Sequence, residues 1–171
     1  IDFIVLTHGH LDHVGFLPRL VKSGCKGAVY GTEPTLDVAR IILRDSAKIQ
    51  EEEARKANKE GYTRHNPAEA LYTVDDANKA IEHLHPLESN EWHSFGHGTK
   101  IRLQCVGHIL GATFAEVHFC GKRIVFSGDI GRKEDVLMYP PKRPEYADIL
   151  LVESTYGAKL HPKGNLKERL K

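Results

Sequence analysis

The stretch Ile1–Gly15 reads "IDFIVLTHGHLDHVG". An apolar run, Phe3–Leu6, leads directly into Thr7, His8, Gly9, His10, Leu11, Asp12 and His13, which crowds three imidazoles and a carboxylate together. A short continuous apolar run is the mark of a strand covered on both faces. His8 and His10 stand two apart in the extended segment that leaves it, so their side chains point the same way. Asp12 and His13 then fall at the start of a helix. Imidazole plus carboxylate is the donor set of zinc and other borderline first-row metals. The stretch therefore predicts one ion on His8 and His10, and a second beside it on Asp12 and His13. Asp12 is also a natural N-cap, but capping explains none of the histidines.

A two-ion site needs donors from elsewhere in the chain. His108 in "VGHILGA" and Asp129 in "VFSGDIG" each follow an apolar strand-like run and have glycine neighbours, which let backbones approach closely. Asp129 suits a bridging position, because a carboxylate offers two oxygens to ions about 3.5–4 Å apart.

The rest of the chain builds an α/β pattern around these residues. "DHVGFLPRLVKSG" predicts a helix with Val14, Leu17, Leu20 and Val21 on one face and Gly24 as its stop. "GAVYG" predicts a strand. A long helix is expected from Thr32, with Pro34 in its first turn, to Gly61. Its second half, with Glu51, Glu52, Glu53, Arg55, Lys56 and Lys59, reads as a solvated face with i,i+4 pairs. Residues 62–73 read as a loop, and "TVDDANKAIEHL" as a helix capped by Thr73. From Lys100 on, "KIRLQCVG", "ATFAEVHFCG", "RIVFSGD" and "ADILLVEST" read as successive strands of a second sheet layer.

With 171 residues, 40% of them hydrophobic, the chain can bury one globular core. A formal net charge of +1 excludes an overall electrostatic footprint for nucleic acid, so such contacts must be local. No apolar run reaches membrane-spanning length and no leader pattern opens the chain, which reads as cytoplasmic. Cys25, Cys105 and Cys120 are odd in number and in no CxxC pattern, so they are expected as reduced core residues.

"THGHLDH", "GHILGA", "FSGDIGR" and "VESTYG", in this order, resemble the metallo-β-lactamase superfamily and, within it, the β-CASP branch of RNA-processing nucleases. The resemblance implies a partial αββα sandwich lacking its first strands and its C-terminal portion. Residues 1–157 would be the metallo-β-lactamase core and 158–171 the start of the β-CASP insertion. It implies His8, His10 and His108 on one Zn2+, Asp12 and His13 on the other, and Asp129 between them. Asp12, Asp129 and Glu153 would be the catalytic carboxylates, with Glu153 supporting a proton-handling histidine of the family. His161 stands where relatives often carry a histidine at the site edge, and "LHPKGNLKERLK" carries cations that could meet phosphates. The implied reaction is phosphodiester hydrolysis of single-stranded RNA by a metal-activated water, leaving a 3′-hydroxyl and a 5′-phosphate.

Two other functions use the same residues. A small-molecule thioesterase or lactonase could share the metal chassis, although "ESTYG" argues against it. A non-catalytic scaffold subunit of an RNA-processing complex would generally have lost ligands that are intact here. The remaining histidines read as structural: His83 and His85 at a helix end, His65, His93 and His97 at turns or the surface, and His118 facing solvent or a polar seam of the sheet.

Overall fold

Strand alternation decides what each face of two sheets touches in the computed structural model, which describes residues 1–159. Strands β1 (Phe3–Val5), β2 (Ala28–Gly31) and β3 (Leu84–Pro86) pair in parallel in that order. The second sheet runs β4 (His93–Ser94), β5 (Lys100–Cys105), β6 (Thr113–Phe119), β7 (Lys122–Phe126) and β8 (Ile149–Leu151), antiparallel except for β7 with β8. Ile4, Leu6, Val29 and Leu84 face a helical layer, where they join Val14, Leu17, Leu36, Ala39, Leu43 and Tyr72 in one core. Phe3 and Val5, on the other face of β1, pack with Ile101, Leu103, Ala115 and Val117 of the second sheet. Helices, parallel sheet and mixed sheet are thus three of the four layers expected of the sandwich.

The helical layer consists of α1 (Leu11–Val14), α2 (Leu17–Lys22), α3 (Glu33–Glu60) and α4 (Val74–Ile81). The single helix expected over 12–24 is therefore two, broken at Gly15 and Phe16, with Pro18 in the first turn of α2. Helix α3 has the expected bounds and ends on Gly61 at φ 68°. Its first half is buried at Thr35, Leu36, Ala39, Leu43 and Ala47, whereas its second half is solvated. No ion pair joins the six charged residues of that half among the described residues, contrary to the expected i,i+4 pairs. Glu51 instead accepts the backbone N–H of Val74. Thr73 and Asp76 form a reciprocal capping box that starts α4.

Two further expectations are corrected. "HLHP" is strand β3 rather than a helix end, because Val29 and Tyr30 of β2 supply it with a parallel partner. The cysteines are free but are not core residues: Cys25 and Cys105 are half-buried and Cys120 is exposed. Cys120 and Gly121 form the tight turn between β6 and β7 at φ 49° and 71°, the geometry of a two-residue hairpin loop. Strand β1 touches neighbours on both faces yet is only half-buried, since it is the edge of its sheet. His161 and the basic stretch 160–171 lie outside the described residues.

On the outer face of the second sheet, Glu116 is fully buried and accepts Arg102 Nε at 2.7 Å. Arg123 Nε donates to His118 Nε2 at 3.0 Å, which puts His118 in the expected polar seam.

Candidate metal centre

Strand β1 ends at Val5, and the chain bends at Thr7 and runs through His8–His10 without regular structure before α1 begins at Leu11, rather than continuing as the expected extended segment. His8 is fully buried, and its Nδ1 lies 3.2 Å from Thr7 Oγ1, which turns Nε2 inward. There, His8 Nε2 is 3.2 Å from His10 Nδ1, and His10 Nδ1 is 3.2 Å from His108 Nε2. Asp129 Oδ2 stands 3.6 Å from His8 Nε2 and 3.5 Å from His108 Nε2. One donor atom from each of the four residues lies within 4.8 Å of all the others. Donors about 2.0–2.1 Å from a tetrahedral ion are about 3.3 Å apart, so this spacing fits a zinc-sized cation.

A second set of donors shares the same carboxylate. Asp129 Oδ1 lies 3.3 Å from His13 Nε2, and Asp12 Oδ2 lies 3.5 Å from that nitrogen on its other side. This group is more open, with the Asp12 side chain 77% exposed. Asp12 is not the N-cap of α1. His10 holds that position, without a side-chain cap bond, and Asp12 sits in the first turn with its carboxylate free to face His13. Burial pushes the His8 imidazole down to about 4, helped by the neighbouring His13 and opposed by the Asp129 carboxylate. A neutral imidazole keeps the lone pair that a cation needs.

The loops that carry these residues are locked together. Thr113 donates its backbone N–H and its hydroxyl to Thr7 O, at 2.8 and 3.1 Å. Thr32 caps α3 by backbone position only. Its hydroxyl and that of Thr35 both donate to Gly111 O, at 2.7 and 2.9 Å, which ties α3 to the His108 loop. Gly9 presses on α3, where a Cβ would stand 2.7 Å from Val38 Cγ1. Gly131 donates its N–H to Val106 O at 2.9 Å, and a Cβ on it would meet Gly107 O at 1.9 Å, so the His108 and Asp129 loops touch backbone to backbone.

Glu153, just past β8, is half-buried and does not touch the four-donor group. Its Oε1 accepts the backbone N–H of Ile130, next to Asp129, and its own N–H donates to Ser127 Oγ at 3.0 Å. A cleft of about 600 Å³ runs from His10, His108 and Asp129 past Glu153 to Arg132, Tyr156 and Lys159. A larger cavity, about 800 Å³, lies between the second half of α3 and residues 62–71, away from these donors. Sequence reasoning missed Thr7, Thr113, Ser127 and the Ile130 N–H. Only Thr7 had a local signal, as the residue before His8. The other histidines stay apart: His93 Nε2 meets Glu88 O at 2.8 Å and His83 Nδ1 meets Gly27 O at 3.3 Å.

The chain belongs to the metallo-beta-lactamase superfamily, whose family model matches residues 1–161. The relatives that it matches include two named ribonucleases and a transcription termination factor. Ribonuclease TTHA0252 of Thermus thermophilus is 34% identical over 161 residues, covering 94% of this chain and 33% of that protein. Endoribonuclease YSH1 of Candida glabrata is 32% identical, over 94% of this chain and 20% of its own length. Transcription termination factor FttA of Methanocaldococcus jannaschii is 32% identical, over 92% and 23% respectively. The chain thus spans a third or less of the length of these relatives. No helix among the described residues is long and apolar enough to cross a membrane.

Proposed function

We propose that this chain is the metal-bearing core of a cytoplasmic, zinc-dependent β-CASP ribonuclease that hydrolyses phosphodiester bonds in single-stranded RNA. In this reading residues 1–157 form the core and 158–171 begin the inserted domain. The observation that carries it is the division of one carboxylate: Asp129 turns Oδ2 toward His8 and His108 and Oδ1 toward His13. His8, His10 and His108 would hold one Zn2+, His13 and Asp12 the other, and Asp129 would bridge them. Two such ions, when bound, polarise a phosphate and make a hydroxide available near neutral pH.

The protein supplies the rest. Burial favours the neutral His8 imidazole, and the open Asp12 and His13 side leaves room for a phosphate. Arg132 and Lys159 along the cleft offer cations to neighbouring phosphates of the strand. Being named ribonucleases, the relatives TTHA0252 and YSH1 support RNA over a thioester or lactone as substrate.

The test is cleavage of a labelled single-stranded RNA by the full-length protein with zinc, with a chelator, and with Asp129→Ala. Cleavage to 3′-hydroxyl and 5′-phosphate ends that is lost in the last two samples is the expected result. Cleavage unchanged in Asp129→Ala, or hydrolysis of a thioester with RNA left intact, overturns the reading.

A further inference from the structure

The Asp129 carboxylate has to offer both oxygens at once, one to each group of donors. Among the described residues, every side chain that reaches it is a histidine of those groups: His8, His108 and His13. Among the described residues, no hydroxyl, amide or backbone N–H bonds the carboxylate itself. Its aim is therefore set by its backbone, and that backbone lies beyond the regular pairing of β7 with β8.

The pairing is prolonged by side chains. Ser127 N–H still bonds Leu151 O at 2.9 Å, as the ladder would continue. Beyond that point Glu153 N–H donates to Ser127 Oγ at 3.0 Å, and Ser127 Oγ donates to Gly128 O at 2.7 Å. The Glu153 carboxylate then accepts the N–H of Ile130. Gly128 and Ile130 are the residues on either side of Asp129, so both peptide groups flanking it are held by this pair of side chains. A hydrogen bond to an ionised acceptor is stronger than a neutral one.

We propose that Glu153 and Ser127 form a strap that sets the bridging orientation of Asp129, making Glu153 a positioning residue for the second metal ion. The proposal rests on the two-metal reading above and goes beyond it. It assigns Glu153 a partner inside this domain, the Ile130 N–H, distinct from the proton-handling histidine that the family resemblance implies. Loss of the strap leaves His8, His10 and His108 in place and frees Asp129 to turn toward them, so the His13 and Asp12 side loses a donor.

The experiment compares Glu153→Ala, Glu153→Gln and Ser127→Ala with the wild type in the full-length protein. Stepwise zinc affinity is measured by competition with a chelating dye, and the coupled pair by electron paramagnetic resonance after manganese loading. Glutamine keeps a carbonyl oxygen for the Ile130 N–H but removes the charge. Glu153→Ala is expected to weaken the second zinc by about 10–100-fold, the usual effect of losing a residue that orients a ligand, with the first zinc little changed. Glu153→Gln should largely restore the second affinity and the exchange-coupled signal, and Ser127→Ala should shift both in the direction of Glu153→Ala. Should Glu153→Ala fail to fold, Ser127→Ala against the wild type decides: an unchanged second-zinc affinity rejects the strap. Equal second-zinc affinity in Glu153→Ala and wild type, or a glutamine variant as defective as alanine, also overturns it. A wild type that holds fewer than two ions removes the two-metal reading itself, and the strap with it, and is recognised by that control alone.

Discussion

His108 Nε2 and His10 Nδ1 lie 3.2 Å apart, although 98 residues separate them in the chain. Two imidazole nitrogens at that distance, with the buried His8 Nε2 equally near His10, can share a hydrogen or stand as neighbouring donors around a zinc-sized cation, whose bonds of about 2.0–2.1 Å give the same spacing. The contact depends on loops joined by backbone bonds at Thr7 with Thr113 and at Gly131 with Val106, and by the Thr32 hydroxyl at Gly111. Consequences follow for the metals, for the loops and for the fold beneath them.

Asp12→Ala removes a side chain that is largely in water and makes one contact, with His13. Stability of the metal-free protein should change by no more than about 0.5 kcal/mol. RNA cleavage by the full-length protein should fall by about 1000-fold or more, since several kcal/mol of charge stabilisation is lost with the second ion. Zinc analysis and a cleavage assay check both parts, and a variant that retains two zinc ions and full activity refutes the assignment of Asp12.

Gly131→Ala places a methyl group where Gly107 O now stands, 1.9 Å from the new carbon. The two loops must separate, and His108 moves away from Asp129. We expect the first zinc to bind markedly more weakly and the melting temperature to drop, whereas Gly157→Ala, with its nearest neighbour at 3.3 Å, should be tolerated. Parallel zinc titrations and thermal melts of the two variants provide the comparison.

Glu116→Ala tests the polar seam, far along the sheet from the donors. Glu116 is fully buried against Arg102, with Arg123 Nη1 at 3.8 Å from its other oxygen. Removing the carboxylate leaves Arg102 without its counter-ion, at a cost of about 3–5 kcal/mol. At about 2–4 °C per kcal/mol for a chain of this size, the melting temperature should fall by roughly 6–20 °C. A shift under about 2 °C would contradict the burial argument.

Asp76 gives the fold a dependence on acid. Its carboxyl is held down to about 2, first by the Thr73 backbone N–H and then by Lys22 and the Thr73 hydroxyl. The unfolded value is near 3.8, so the contribution is complete above that pH and is lost as pH falls toward 2. Asp76→Ala should cost about 1 kcal/mol at neutral pH, as expected for a capping residue, and the difference from wild type should shrink as pH falls from about 4 to 2. Denaturant melts at pH 7, 4 and 2 are the measurement.

Much of the fold was legible in residue order because its signals are local. Thr73 with Asp76, Gly61 after a long amphipathic run, and glycine-bounded strands from Lys100 onward each act within a few residues. The misreadings have a common cause. "HLHP" became β3 only because β2 lies beside it, and Cys120 left the core because the β6–β7 turn needed its backbone conformation. Asp12 looked like a helix cap, but the chain turns one residue pair earlier, at His10.

By itself the sequence determined the donor chemistry: which side-chain types can hold a cation, that His8 and His10 stand two apart just after the first strand, and that His108 and Asp129 follow later strands. Those are properties of side-chain type and of residue order, and they hold wherever the strands lie. Only the tertiary structure decided that Asp129 faces two groups of donors with separate oxygens, and that Glu153 and Ser127 hold its flanking peptides. Those relationships join loops far apart in the chain. They exist because the two sheets pack face to face and bring the ends of β1, β5, β7 and β8 to one edge, a condition no local pattern of residues encodes.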